Sequence, residues 1–421
     1  MQVKLTKTPA TGMRDILPKE MEIRNRALSI IREAYAPYGF LPLETPCVEH
    51  LENLNCKAGG ENEKLTFKIL KRGEKLKIDQ AQTEEDLSDL GLRYDLTVPL
   101  VRFYAAHNAE LPTPFKALQY GNVFRADRPQ KGRFRQFMQY DIDILGEESN
   151  LAEVELILAT SNALGKLGFK GFEIRLNDRR ILKAMADYAG FQEAEQDEVF
   201  ILLDKIDKIG QEGVRTELLS HGYSAEQADR FLSIYHLAAD SENPVETVFD
   251  TLGGTLNSDI KGEFESLLEM VNAVKGDFFN LVFDPTLVRG MSYYTGTIFE
   301  VSMKEYGGSV GGGGRYDGLV ERFTGQKVPA CGFSLGFERL IMILMEREAE
   351  ASSQERKTAI LLEKGLAPAL MLEAMQEAEK IRAEGGHVLV ARMMKNKKRQ
   401  KEQLADQGYG EIREVYNHPI Q

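Results

Sequence analysis

The sequence predicts an α+β fold in which a sheet is interrupted by a block of helices and followed by a small α/β domain. Three observations predict this class. Strand-like segments lie at 115–146 and return at 278–303. Residues 177–276, between them, show helical periodicity. After residue 357, strand and helix patterns alternate up to residue 416.

The chain has 421 residues, which is more than one ordinary domain needs. We predict a first domain that combines 1–176 with 277–345. A helical insertion is predicted over 177–276, and a C-terminal α/β domain over 357–421. Residues 346–357 read as a charged linker.

The first domain opens with an amphipathic pattern over 19–36, which predicts a helix ended by Pro37 and Gly39. An extended segment at 40–48 follows. Residues 60–90 are polar and predict a hairpin or a loop. Further patterns predict a helix at 100–106, two strands joined by an arginine-rich loop at 115–146, a helix at 151–165, and a strand leading into a helix at 333–345.

Composition limits the function classes. The net charge of −12 and the pI near 5.3 argue against attraction of nucleic acid to the whole surface. A local basic run at 395–401 is read equally well as a solvated helix face. No apolar run is long enough for a membrane span, and the N-terminus lacks a signal-peptide pattern. Three scattered cysteines favour a reducing cytoplasm.

The most informative stretch is FRADRPQKGRFRQFMQYDIDILG at 124–146. It begins with four arginines and continues as a strand whose side chains alternate between faces. Gln139, Asp141 and Asp143 therefore share one face. Arginines suit phosphate oxygens, and the amide and carboxylates suit an ammonium group. An amino acid reacting with ATP carries both groups.

Three other segments hold candidate residues. Arg289 precedes Tyr293 and Tyr294, of which at most one faces a given pocket if the backbone is extended; the alternative is a core tyrosine pair beside a surface arginine. Arg339 opens an apolar helix, with a salt bridge to Glu338 as the alternative.

Asp95 and Thr97 in LRYDLTVP share a face if that segment is extended; the alternative is an ordinary strand edge. The glycine run at 311–314 predicts either tight packing or close approach to a ligand. The sequence has neither a GxxxxGK[ST] phosphate loop nor metal-ligand spacing among its histidines and cysteines.

Together the segments TGMRDILP, LRYDLTVP, FRADRPQKGRFRQF, RGMSYYTGTIFE and GFSLGFERL resemble histidyl-tRNA synthetase, a family of class II aminoacyl-tRNA synthetases. The resemblance implies a class II antiparallel sheet flanked by helices as the catalytic domain. It also implies a shortened anticodon-binding-like domain at the C-terminus. The segment YGFLPLETP, with Pro46, implies a homodimer interface.

The resemblance also implies residue roles. Arg125, Arg289 and Arg339 would be catalytic. Histidine would contact Asp95, Thr97, Arg125, Gln139, Asp143, Arg289, Tyr293 and Tyr294. ATP, with its Mg²⁺, would contact Arg125, Asp127, Arg133 and Arg339. The implied partners are L-histidine, ATP and tRNA(His), with no protein-bound metal and no membrane.

The chain departs from the family pattern at four places. Ser292 stands where an acid is usual, Asp95 where many bacterial members have glutamate, and Met138 where an aromatic residue or histidine is common. The C-terminal domain ends early. The shortened C-terminus and Ser292 keep open a second reading, a non-catalytic paralogue that regulates ATP phosphoribosyltransferase in histidine biosynthesis. A third reading is an amino-acid-activating enzyme that does not use tRNA.

Overall fold

The computed structural model describes residues 5–55, 65–129, 132–288, 293–350 and 357–418. The chain divides into two compact units: residues 1–16 with 23–343, and residues 17–22 with 344–421. The predicted three-domain boundaries stay a prediction. No helix within the described ranges combines the length and apolar character needed to cross a bilayer.

The centre of the first unit is an eight-stranded sheet. Its strands are β1 (Leu41–Pro42), β5 (Phe115–Phe124), β6 (Gln136–Leu145), β7 (Phe172–Asp178), β8 (Phe279–Phe283), β9 (Thr297–Met303), β10 (Gly308–Arg315) and β11 (Ala330–Gly336). Their order is β1-β5-β6-β11-β10-β9-β7-β8. The pairs are antiparallel except at the two edges, where β1 pairs with β5 and β7 with β8 in parallel. The α+β class is therefore confirmed.

A smaller antiparallel sheet lies before β5. It comprises β2 (Val48–His50), β3 (Lys68–Leu70) and β4 (Ser88–Leu92), in the order β2-β4-β3. The polar stretch predicted as a hairpin or loop therefore contributes two of these strands. Residues 60–64 of that stretch lie outside the described residues.

The helices of the first unit that flank the sheets are α1 (Pro18–Tyr35), α2 (Leu51–Leu54), α3 (Glu84–Leu87), α4 (Thr97–His107), α5 (Leu151–Lys166), α12 (Asp317–Thr324) and α13 (Phe337–Glu350). The predicted amphipathic helix α1 buries Ile23, Ala27 and Ile31. A 3-10 helix over Ala36–Tyr38 follows α1 and ends at Gly39, whose φ of 80° is a conformation that a residue with a side chain adopts only at a steric cost. Tyr94, Val98, Tyr104 and Tyr316 share one buried cluster.

Six helices lie in the chain between the parallel neighbours β7 and β8. They are α6 (Arg179–Ala189), α7 (Gln196–Leu203), α8 (Ile206–Ser220), α9 (Ala225–Ala239), α10 (Pro244–Leu252) and α11 (Ser258–Val274). Asp178 begins the block as the N-cap of α6, because its side chain accepts the Arg180 amide at 2.8 Å. The helices thus interrupt one sheet.

The C-terminal region has a fully parallel three-stranded sheet. Its elements are β12 (Lys357–Leu362), α14 (Pro368–Ala383), β13 (Val388–Arg392), α15 (Lys397–Asp406) and β14 (Tyr409–Val415). The strand order is β13-β12-β14. Crossover helices give each strand a parallel neighbour, which agrees with the predicted alternation.

Candidate functional site

A cleft of about 730 Å³ opens on one face of the eight-stranded sheet. Ten of the eleven site residues predicted from the sequence line it: Asp95, Thr97, Arg125, Asp127, Arg133, Gln139, Asp143, Tyr293, Tyr294 and Arg339. The eleventh, Arg289, lies outside the described residues, as does Ser292. Residues far apart in the chain therefore converge on one cavity.

The floor of the cleft is the polar face of β6. Gln139, Asp141 and Asp143 all face the cavity, as their spacing of two predicts. On the neighbouring strand β11, Ser334 lies opposite Asp141 and Gly332 lies opposite Asp143. A Cβ atom at Gly332 would overlap the Asp143 carboxylate. Small residues on β11 therefore make the room in which the acids of β6 lie.

The two carboxylates on this floor are short of partners. Asp141 and Asp143 are 3% and 2% exposed. The Tyr316 hydroxyl donates to Asp143 Oδ1 at 2.7 Å. Asp143 Oδ2 and Asp141 Oδ1 are buried without a hydrogen-bond partner in the described part of the chain. Such oxygens are costly to leave unpaired, so the site is suited to a ligand that donates hydrogen bonds.

The electrostatics agree with that geometry. Burial raises the pKa of Asp143 to about 7, and the nearby Asp95 adds to the rise, while the bond from Tyr316 opposes it. Burial, and then the charge of Asp143, hold the pKa of Asp141 well above its ordinary value. A bound cation would favour the ionised form of both acids.

Tyrosines line the end of the cleft next to Asp143. The ring centroids of Tyr293 and Tyr294 lie 4.8 Å apart, and those of Tyr293 and Tyr316 lie 6.0 Å apart. Both adjacent tyrosines line the cavity. The prediction that at most one of them faces a given pocket applied only to an extended backbone, and that condition is not met, because both tyrosines precede β9 and neither belongs to a strand.

The Asp95 segment is not part of a strand, so neither the shared face with Thr97 nor the ordinary strand edge applies to it. Strand β4 ends at Leu92, and α4 begins at Thr97. Asp95 Oδ1 accepts the Val98 amide at 3.0 Å, which satisfies a free N–H group of the first helical turn. Its Oδ2 accepts from the Tyr293 hydroxyl at 3.5 Å. Asp95 therefore reaches the cleft from a helix start.

Arg125 defines the other end of the floor. Its Nε donates to the Tyr94 carbonyl at 3.0 Å, and its Nη2 to Gln139 Oε1 at 3.4 Å. The guanidinium carbon lies 5.1 Å from the centre of the Phe137 ring. Gln139 Nε2 in turn donates to Ser334 Oγ at 2.7 Å. These contacts fix the planar group in a single orientation beside the cavity.

Asp127 and Arg133 come from the two sides of the hairpin loop between β5 and β6. The loop is held by backbone bonds from Arg125 to Arg135 and from Arg135 to Gly12, at 2.9 and 2.8 Å. Residues 130 and 131, at its tip, lie outside the described residues.

Arg339 lies in the first turn of α13. Its Nη1 donates to the Ser309 carbonyl, and its guanidinium carbon is 5.6 Å from the centre of the Tyr306 ring. The preceding residue, Glu338, is bound by Arg24 at 2.8 Å and by Arg14 at 2.9 Å. Its carboxylate also accepts the Met138 amide at 3.2 Å. Glu338 thus ties the N-terminal segment and β6 to the helix that carries Arg339.

The glycine run on β10 packs tightly against β11 and also lines the cleft, so tight packing and close approach to a ligand are both compatible with it. A Cβ atom at Gly313 would overlap the backbone of Gly332, and one at Gly311 would crowd the Ser334 carbonyl. Gly311 and Gly313 also line the cleft. Tight packing between β10 and β11 therefore forms part of the cavity wall.

Sequence reasoning missed three contributors: Tyr316, Ser334 and Tyr306. Ser334 stands inside the GFSLGFERL motif and Tyr316 lies two residues after the glycine run at 311–314, but their targets are 195 and 173 positions away. Ser334 could have been predicted only from the register in which β6 pairs with β11, because that register places it opposite Asp141. Within the described ranges, no group of three or more His, Cys, Asp or Glu side chains is placed to hold a metal ion.

Comparison with known proteins agrees with this geometry. The profile of the family described as histidyl-tRNA synthetase matches residues 12–340. A protein of Leifsonia xyli subsp. xyli named histidine–tRNA ligase is 48% identical over 345 residues, which is 80% of each chain. A protein of Tropheryma whipplei named probable histidine–tRNA ligase is 42% identical and covers 88% of this chain and 87% of its own.

Solved structures agree as well. The histidyl-tRNA synthetase of Nostoc sp. PCC 7120 superposes with a TM-score of 0.75 at 26% identity, over 96% of this chain and 90% of its own. A Bacillus halodurans protein described as an ATP phosphoribosyltransferase regulatory subunit/histidyl-tRNA synthetase gives 0.76 at 23% identity, over 98% and 99%, and is similar in fold. On its sequence matches and on its fold, the chain belongs to the histidyl-tRNA synthetase family.

Proposed function

We propose that this chain is a histidine–tRNA ligase and that the cleft is its active site. In the first step, L-histidine reacts with ATP to give histidyl-adenylate and pyrophosphate. In the second, histidine passes to the 3′ end of tRNA(His). The observation that carries the proposal is that Arg125 and Arg339, which are suited to phosphate, line the same cavity as Asp95 and Asp143, which are suited to an ammonium group.

The first step needs alignment and charge neutralisation rather than a base. The histidine carboxylate is already ionised at neutral pH and attacks the α-phosphorus of ATP directly. Arg125 would hold the α-phosphate, with Arg289 supporting it from the other side. Both anions must be brought together, and fixed guanidinium groups stabilise the charge that develops on the transferring phosphoryl group.

The nucleotide would occupy the side of the cleft near α13. Arg339, resting on the Tyr306 ring, would lie by the adenine and the γ-phosphate. Asp127 and Arg133 would complete this part of the site from the β5–β6 loop. We treat Mg²⁺ as part of the substrate, carried on the ATP phosphates.

The amino acid would occupy the floor. Asp95, Thr97, Gln139 and Asp143 would hold the α-ammonium group and part of the histidine frame. Tyr293 and Tyr294 would line the imidazole pocket. Tyrosine offers an aromatic face and a hydroxyl group, so it suits a flat heterocycle with ring nitrogens.

The C-terminal region would contact tRNA. Lys398 and Arg399 are exposed at the start of α15, whereas Lys397 donates to the Tyr416 hydroxyl and Lys401 pairs with Glu414. We also propose a homodimer, because the YGFLPLETP segment provides β1, a sheet-edge strand on which Leu41 is 47% exposed. Light scattering in solution would test this state. A cytoplasmic location stays a prediction.

Two assays test the function. Histidine-dependent exchange of pyrophosphate into ATP is expected, and no exchange would leave the regulatory-subunit reading. Charging of a tRNA(His) transcript is also expected, and exchange without charging would favour a tRNA-independent activating enzyme. The relatives above 40% identity that carry the ligase name favour the first outcome.

A further inference from the structure

Asp141 has no role in the function proposed above, although its carboxylate faces the same cleft. The side chain is 3% exposed, and its Oδ1 is buried without a hydrogen-bond partner in the part of the chain that the structure describes. A buried acid without a hydrogen-bond partner costs free energy of folding unless a ligand donates a hydrogen bond to it.

Among the described polar side chains around Asp141, acidic groups outnumber basic ones. They come from β6, β5, β11 and the segments before α4 and after β5: Gln139, Asp143, Gln119, Ser334, Asp95 and Arg125. Gln119 is already bonded to Thr45 and to the Leu96 carbonyl. Among these described groups, three carboxylates including Asp141 itself face one guanidinium.

The position of Asp141 along β6, between Gln139 and Asp143, corresponds to the position of the ammonium group in histidine. Alternate residues on a strand are about 7 Å apart, so Gln139, Asp141 and Asp143 form three successive stations. Gln139 contacts Arg125, which is suited to a carboxylate or phosphate, and Asp143 contacts Tyr316 in the tyrosine cluster. In histidine, the ammonium group stands on the carbon between the carboxylate and the arm that bears the imidazole.

We propose that Asp141 is a further histidine-binding residue, whose Oδ1 accepts a hydrogen bond from the α-ammonium group. It selects for a substrate with a free, protonated amine. This inference rests on the proposed function and adds a specificity determinant to it.

Proton exchange follows from the same contact. Burial raises the pKa of Asp141 in the empty cleft, so its carboxyl group gives up a proton less readily than an exposed aspartate does. An ammonium group placed beside it favours the ionised form, and the proton leaves to solvent. Histidine binding to the wild-type protein should therefore release more protons than binding to a variant that cannot ionise at this position.

The test is Asp141→Asn, a nearly isosteric change that removes the ionisable group and replaces one acceptor oxygen with an amide NH2 donor. Calorimetric titration should show L-histidine binding weakened by about 10-fold to 100-fold, the range expected for one charged hydrogen bond. Imidazolepropionate, which lacks the amino group, should lose less than about 2-fold by the same argument. Titration in buffers of different ionisation enthalpy should show fewer protons released by the variant.

Asp207→Asn is the matched control, because it removes a carboxylate from the outer end of the same cleft and should leave histidine affinity unchanged. Equal loss for both ligands, or no loss for histidine, would overturn the assignment. Thermal unfolding of Asp141→Asn establishes that it folds. If wild-type protein lacks histidine-dependent pyrophosphate exchange, the proposed function fails; if exchange is present and Asp141→Asn binds histidine normally, only the inference fails.

Discussion

The acids on β6 are held in the folded protein under conditions that oppose their charge. Asp143 keeps one oxygen bonded to Tyr316 and leaves the other buried without a partner in the described region. The folded protein therefore binds protons that the unfolded chain gives up, since a solvated aspartate ionises near pH 4. The stability of the ligand-free protein must depend on pH.

Stability without ligand should fall as the pH rises from about 4 to about 7, the interval between the unfolded and folded pKa values of Asp143. The stabilisation by the bound proton is complete below pH 4 and lost above pH 7. Urea unfolding at several pH values should show the free energy of unfolding fall by on the order of 4 kcal/mol across this interval. Asp143→Asn should flatten this slope, and an unchanged slope would contradict the pKa assignment.

Arg125 should be intolerant of lysine. Its guanidinium makes two directed hydrogen bonds that a single ammonium group cannot reproduce while also meeting a phosphate. Arg125→Lys should lower histidine-dependent pyrophosphate exchange by about 100-fold or more with the fold intact. The same result is predicted for Arg289→Lys. Arg128→Lys, an exposed change in the same loop, is the control.

At the scale of elements, periodicity was a good guide where one face is buried. The alternation on β6 correctly placed Gln139 and Asp143 on the cleft side. The condition of an extended backbone is not met at 92–99, where Asp95 accepts an amide of the first turn of α4. It is not met at Tyr293 and Tyr294 either, because these two residues lie before the start of β9. Local chemistry at element ends decided both cases.

The pairing of β6 with β11 makes Gly332 a sensitive position. Gly332→Ala would drive a methyl group into the Asp143 carboxylate, so we expect histidine affinity to fall by about 10-fold or more. Calorimetric titration with histidine would measure the loss. Gly262→Ala is the matched control: it lies in α11 with no atom within 4 Å of the added methyl, and it should bind histidine normally.

For the whole molecule, the sequence marked ten residues that line the cleft but could not show how they come together. Ser334 and Tyr316 act on partners 195 and 173 positions away, and no local pattern carries that information. The order of motifs supplied it indirectly, through resemblance to a family. The helices between β7 and β8 were predictable as helices because their apolar spacing is regular. Of the two strands that they join, β8 was predicted from the segment that begins at 278, whereas β7 and its parallel pairing with β8 were not.

The acidic chain must still bind a polyanion if it charges tRNA, so the exposed cations at the start of α15 should matter. The double change Lys398→Glu and Arg399→Glu should raise the KM for tRNA several-fold and leave pyrophosphate exchange unchanged. Lys364→Glu with Lys380→Glu makes the same charge change elsewhere in the C-terminal region as a control. Equal effects of both pairs would mean that α15 contributes only through its net charge and makes no specific contact with tRNA.

Glu338 links positions that are more than 300 residues apart in the chain, because Arg14 and Arg24 bind the same carboxylate. Removing one member of such a buried ion pair leaves an uncompensated charge and is destabilising. Replacing all its members together need not destabilise the protein. Related chains should therefore inherit these three residues as a set. A change at one of them in a descendant lineage should be accompanied by compensating changes at the other two.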